Sequence, residues 1–156
     1  MDLTHSADNF SIYKRYLPHW RATNVIYFVT WHLQLGIPPL SPKERTLVAD
    51  VIEHFNNQRY WLLAYVIMDD HVHAVLRLNH ERPLEEVFHS WKSYSANQLQ
   101  RRFCRRGAVW QDESHDRIVR DSEELHNILQ YMAHNPVKRW PEMKDYPWSR
   151  TFIGED

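Results

Sequence analysis

The chain has 156 residues, with 19 Lys and Arg against 20 Asp and Glu, and a hydrophobic fraction of 43% that includes seven Trp, eight Tyr and six Phe. That length and aromatic content support one folded domain over 1–156 and exclude extensive disorder. Three glycines, a single Cys and the lack of any long apolar run exclude a glycine-rich phosphate-binding loop, an intrachain disulfide and a membrane span, and they point to a soluble, cytoplasmic protein.

In chain order, residues 1–20 are polar and mixed and read as an N-terminal extension. "NVIYFVTWHL" (24–33) is rich in β-branched and aromatic residues, the composition of a buried strand. After a Pro-rich loop, Ser41, Pro42 and Glu44 form a helix start: an N-cap, a proline in the first turn and the closing residue of a capping box. Leu47, Val48, Val51, Ile52 and Phe55 continue that helix at helical spacing. "YWLLAYVIM" (60–68) and "HVHAVLRLN" (71–79) read as two strands separated by the polar turn Asp69-Asp70. From Leu84 to about Phe103, the positions Val87, Phe88, Trp91, Tyr94, Leu99 and Phe103 predict a second amphipathic helix. "DRIVR" (116–120) is a short strand. Asp121 and Glu124 then offer an N-cap and its partner for a third helix, expected to end near Asn135 because Pro136 follows. Residues 141–156 read as a C-terminal tail.

The order strand, helix, strand, strand, helix, strand, helix is that of an α+β, ferredoxin-like domain. Its split βαβ topology gives an antiparallel sheet with helices on one face, plus a C-terminal helix. Fold alone gives no function. Net charge is −1, which does not mark a nucleic-acid binder, but from Val87 to Gln111 there is no acidic residue while Lys92, Arg101, Arg102, Arg105 and Arg106 supply five positive charges. A solvated helix face is the commoner meaning of such a cluster; a surface that tracks phosphates has the same appearance.

Two histidines one residue apart interrupt the apolar run "MDDHVHAVLRL". Side chains alternate along a strand, so His71, His73, Val75 and Arg77 share one face and Val72, Ala74, Leu76 and Leu78 the other. The two imidazoles start roughly 7 Å apart at Cα and can lean together on one cation. On its own such a pair is more often incidental than metallic. In the third helix Leu125, Ile128, Leu129 and Met132 form the core face, and Tyr131 and Asn135, four apart, stack along its flank. Two readings are open there: a Tyr at the core edge with a helix-ending Asn, or a phenol and an amide oxygen brought across the open face of the sheet to the histidines.

"YFVTWHL" (27–33), "DHVH", "VWQ" (109–111), "DRIVRD" (116–121) and "YMAHNPVK" (131–138), in that order and spacing, resemble the REP-associated tyrosine transposases. These are relatives of the IS200-like single-tyrosine transposases within the HUH endonuclease superfamily. The similarity runs from about residue 24 to residue 152. It implies that His71 and His73 bind a catalytic Mg²⁺ or Mn²⁺, that Asn135 is the third ligand and that Tyr131 is the nucleophile, forming a 5′-phosphotyrosine with single-stranded DNA. The DNA partner so implied lies beside a hairpin or imperfect palindrome. Trp110 and Gln111 match the family's WQ, and Arg117 and Arg120 its following arginine-containing strand; with Lys92 and Arg101 to Arg106 they are candidates for DNA contacts. A homodimer, in which the tyrosine helix serves either its own site or a partner's, is compatible with the pattern. Three stretches depart from it. Asp69-Asp70 stands where the family often has Pro and then Asn or Asp, "DESHD" replaces an aromatic-rich run, and Arg139-Trp140 replaces a small residue and Gly.

Two other functions are weighed against strand cleavage. A protein that binds a DNA hairpin without cutting it would not need the intact His71, His73, Tyr131 and Asn135 set. A histidine-triad nucleotide hydrolase would need a third alternate His where this chain has Val75.

Overall fold

The structure, a computed structural model, describes residues 25–78 and 82–152. The N-terminal extension therefore lies outside the described residues. The elements are β1 (Val25–Leu33), α1 (Pro42–Glu53), β2 (Trp61–Ile67), β3 (His71–Leu78), α2 (Leu84–Phe103), β4 (Trp110–Val119), α3 (Ser122–Arg139) and β5 (Ser149–Thr151). The strands form one antiparallel sheet in the order β4-β1-β3-β2-β5, the expected α+β arrangement with one short strand added at the β2 edge.

The pleat of β1 and β3 divides the core in two. On one face Val29, Trp31, Val72, Ala74 and Leu76 pack under α1 and α2. Trp31 is fully buried there, with Phe88, Trp91 and Trp110 around it at ring-centroid distances of 5.1, 5.9 and 6.1 Å. Two of the indole N–H groups in this cluster find acceptors, Trp91 donating to the Tyr60 hydroxyl (2.9 Å) and Trp110 to Ser95 Oγ (2.9 Å), while that of Trp31 is buried without one. On the other face α3 lays Leu125, Ile128, Leu129 and Met132 against Ile26, Val66, Val75 and Val119.

Local signals explain where the helices start. Ser41 Oγ accepts the Glu44 N–H while the Glu44 carboxylate accepts the Ser41 N–H, a complete capping box. At α3 the Asp121 carboxylate accepts the Glu124 N–H at 2.7 Å.

Four local expectations are corrected. The third helix does not stop at Asn135 but runs through Pro136 to Arg139. Proline removes one N–H without forbidding a helical φ, and beyond it the Trp140 N–H bonds the Pro136 carbonyl (2.7 Å) while Arg139 pairs with Asp69. The strand read as 116–120 spans ten residues, because its backbone pairs with β1 from Ile26↔Val119 to Trp31↔Ser114 and, after a register shift, again at Leu33↔Trp110. Tyr94 is 55% exposed, and Ser95, in register with Trp91 and Leu99, occupies the buried stripe instead. Finally, the segment after α3 returns to the sheet. Trp140 stacks on Tyr146, the Arg45 guanidinium lies over Trp140 and Trp148, and β5 pairs with β2.

One cation of the basic cluster is part of this framework. Arg105 forms a two-pronged pair with the Glu44 carboxylate, both side chains nearly buried, and so ties the end of α2 to the start of α1. Burial pushes the Glu44 carboxyl up, but hydrogen bonds from Arg105 and Ser41 and the Arg105 charge outweigh it, so its pKa lies below the ordinary carboxylate value. A folded pKa below the unfolded one stabilises the fold fully above the unfolded pKa, about 4.3. That contribution is lost as pH falls through the folded value. Glu44→Gln is expected to cost about 1–2 kcal/mol at neutral pH. It should also flatten the acid limb of stability against pH, as read by denaturant unfolding at neutral pH and near pH 4.

Candidate active site

The α3-covered face of the sheet is left open beside Tyr131, where a cleft of about 860 Å³ is lined from below by Thr30, His32, His71 and His73 and from above by α3. Register sets its floor: His73 pairs across the ladder with Thr30, and His71 with His32.

His73 is 5% exposed, lies stacked on Phe28 (5.4 Å between ring centroids) and has Nδ1 at 2.7 Å from Thr30 Oγ1. Its Nε2 is buried and makes no hydrogen bond of regular geometry, with the Asn135 amide as its polar neighbour. Burial, reinforced by the charges His71 and His32 carry when protonated, pushes its pKa down to about 3, so the ring is neutral across the physiological range. The Thr30 hydroxyl can accept from or donate to Nδ1; when Nδ1–H donates to it, the Nε2 lone pair is left over for a cation.

His71 is oriented from the other side. Its Nδ1 lies 2.7 Å from Asp70 Oδ1, an acceptor, which assigns the ring proton to Nδ1. Its Nε2 then faces Asn135 Oδ1 at 3.1 Å. The amide cannot turn its NH₂ toward His71 without losing the bond from Asn135 Nδ2 to the Tyr131 carbonyl (2.9 Å). Two acceptors therefore face each other, with the orphaned Nε2 of His73 on a ring 4.8 Å from that of His71. Such an arrangement calls for a proton or a cation between them. Two imidazole nitrogens and an amide oxygen suit a divalent ion that keeps open positions, and the Asp70–His71 contact is the outer partner that metal-bound histidines use. Among the described residues no group of three or more His, Cys, Asp or Glu could hold a metal ion, so a metal centre here depends on the amide.

Tyr131 stands at the rim, 50% exposed, with its ring 5.5 Å from that of His73. Lys138, two turns further along α3, places its ammonium 5.9 Å from the centre of the phenol ring. Lys138, Thr30, Asp70 and His32 were not singled out from the sequence. Helical spacing from Tyr131 points to Lys138, but the other three depend on strand register and turn geometry. His32 stacks on His71 (5.5 Å), and burial, then the neighbouring His71 and His115, lower its pKa.

The remaining sequence candidates divide. Arg117 lines the cleft and reaches Glu124 at 3.5 Å. Arg120 is exposed at the entry to α3. Arg101, Arg102 and Arg106 are exposed but do not line the cleft. Lys92 is spent on the Gln111 carbonyl (2.7 Å) and Ser114 Oγ (2.9 Å), and Arg105 on Glu44. Trp110 is buried and Gln111 bonds the Leu33 carbonyl (3.0 Å), so both serve the fold where they stand.

A family model described as "Transposase IS200 like" matches residues 40–135, from the loop before α1 to Asn135. No curated protein matches the chain. Among solved structures, a REP-associated tyrosine transposase bound to a REP hairpin is similar with a TM-score of 0.68 and 18% identity, over 81% of this chain and 76% of that one. A candidate transposase from Deinococcus radiodurans R1 is similar with a TM-score of 0.56 and 19% identity, over 71% and 90%. At these identities the two structures speak for the fold.

The tautomer and neutrality of His73 are open to direct measurement. In ¹⁵N-edited spectra of the cation-free protein its ring should remain neutral with the proton on Nδ1 from neutral pH down to about pH 4, whereas a His73 ring that titrates near 6.5 would contradict the assignment.

Proposed function

The chain belongs to the IS200-like transposase family, and on that premise we propose that it is a metal-dependent single-stranded DNA endonuclease and strand transferase that acts through a 5′-phosphotyrosine at Tyr131. The observation that carries this reading is the convergence of His71 Nε2, Asn135 Oδ1 and the orphaned His73 Nε2 beside an exposed phenol. Of the similar proteins, one was captured with a REP hairpin, which favours a hairpin or imperfect palindrome as the DNA element beside the cut.

A divalent cation held by His71, His73 and Asn135 would neutralise a non-bridging oxygen of the scissile phosphate and orient it; two imidazole donors favour Mn²⁺ over Mg²⁺. The chain supplies the rest. The Tyr131 hydroxyl gives its proton to solvent as its oxygen attacks phosphorus, the bond to the 3′-oxygen breaks and that oxygen takes a proton from water, so the products are a 5′-phosphotyrosyl protein and a free 3′-hydroxyl. The Lys138 ammonium, 5.9 Å from the centre of the phenol ring, and Arg117 on the cleft floor offer positive charge for phosphate oxygens of the bound strand. The phosphodiester energy is kept in the covalent link, so another 3′-hydroxyl can reverse the step or join a new strand without a nucleotide cofactor.

Incubating the protein with a single-stranded oligonucleotide carrying a hairpin and Mn²⁺ should give an SDS-stable adduct that a chelator prevents and Tyr131→Phe abolishes. A Tyr131→Phe protein that still formed the adduct would overturn the assignment. Hairpin binding with no adduct under any divalent cation would leave recognition without cleavage. Asp70→Asn, which weakens the carboxylate behind His71, is expected to lower Mn²⁺ affinity about tenfold, measured by calorimetry.

A further inference from the structure

Two of the departures from the family pattern, Asp69 and Arg139, lie 70 residues apart in the chain and meet in space. Asp69 Oδ2 accepts a hydrogen bond from Arg139 Nη2 at 2.9 Å, with the carboxylate side chain 10% exposed and the arginine 52% exposed. We propose that this ion pair is a latch, with Asp69 and Arg139 as positioning residues that hold Tyr131 and Asn135 over His71 and His73 of the same chain. The inference rests on the functional reading above and extends it to two residues outside the cleft lining.

The placement of the pair supports this role. Arg139 is the last residue of α3, four positions after Asn135 and therefore about 6 Å further along the helix axis. Between them Pro136 cannot donate to the carbonyl four residues back, so the helical ladder is weakest next to the amide ligand. An external tie at Arg139 restores what the ladder lacks.

The other end of the latch is firm. The Asp69 carbonyl accepts the Leu40 N–H (2.7 Å), the Asp70 carbonyl accepts the Leu33 N–H (2.8 Å), and Met68 donates to the His71 carbonyl (2.8 Å), so the turn is pinned to two neighbouring segments. Its two consecutive carboxylates then divide the work: Asp69 holds the end of the tyrosine helix and Asp70 holds the first histidine. One rigid turn references both halves of the site to each other. The second Asp69 oxygen, Oδ1, is buried and has no hydrogen-bond partner, so without Arg139 the carboxylate would be a buried charge with no counterion.

A latch that acts through Tyr131 and Asn135 predicts a specific split. Arg139→Gln should slow adduct formation about 10–100-fold, as expected for a displacement of the order of 1 Å, while leaving the oligonucleotide KM near the wild-type value. Its Mn²⁺ affinity should fall, and amide hydrogen exchange over 133–140 should rise while exchange in the first turns of α3 stays unchanged. Arg139→Lys should recover much of the loss, because an ammonium can still reach Asp69, and Asp69→Asn combined with Arg139→Gln should be no worse than either alone. Wild-type exchange over 133–140 and unchanged Mn²⁺ affinity in Arg139→Gln would overturn the latch, as would additive losses in the double variant. If the wild-type protein neither bound Mn²⁺ nor formed an adduct, the functional reading would fall, while the exchange comparison would still decide whether the latch exists.

Discussion

β3 lies in the middle of the five-stranded sheet, and its two-residue repeat assigns each side chain to one of two faces. Val72, Ala74, Leu76 and Leu78 build the larger core; His71 and His73 go to the opposite side, under α3. A slip of one residue against β1 would bury the histidines among the tryptophans and turn Val72 and Ala74 into the cleft. The register that makes the core is thus the same constraint that makes the site, and neither can be altered without the other.

The two histidines are prepared differently by that placement. His73 is buried, backed by the neutral Thr30 hydroxyl and stacked on Phe28, so it stays uncharged and is packed on all sides. His71 sits nearer the rim, backed by the charged Asp70 carboxylate, which increases electron density on the ring and offsets positive charge placed at Nε2. One imidazole is fixed by packing and the other is compensated electrostatically. The donors on α3 come from a separate element, so their position depends on how the helix is seated and not on the ladder.

Much of this was legible in the sequence. Ser41/Glu44 and Asp121/Glu124 marked helix starts that the structure keeps, and the apolar stripe of α3 was read correctly, because capping and 3.6-residue periodicity are local. The alternation around His71 and His73 placed both on one face. Local rules failed where backbone pairing or tertiary contact decided the outcome. "DESHD" has no strand pattern, yet it lies within β4 because β1 offers partners to Ser114, His115 and Asp116. Pro136 is a helix breaker by rule, yet contacts at Trp140 and Arg139 carry the helix past it. The basic cluster could be counted but not oriented: Lys92 and Arg105 look like Arg101 and Arg102 in sequence, and only the fold shows that the former pair is committed to internal partners.

The β4 strand has a further consequence. It is a ten-residue edge, and an edge that long is a template on which another chain can add a strand. Here Asp112, Glu113 and Asp116 are all exposed along it. Carboxylates outnumber the one exposed cation of the strand, Arg117, and charge along an unpaired edge disfavours the addition of another strand. The stretch that departs most from the aromatic-rich family pattern also begins where a register shift interrupts the ladder to β1, a second feature that makes this edge a poor template for strand addition.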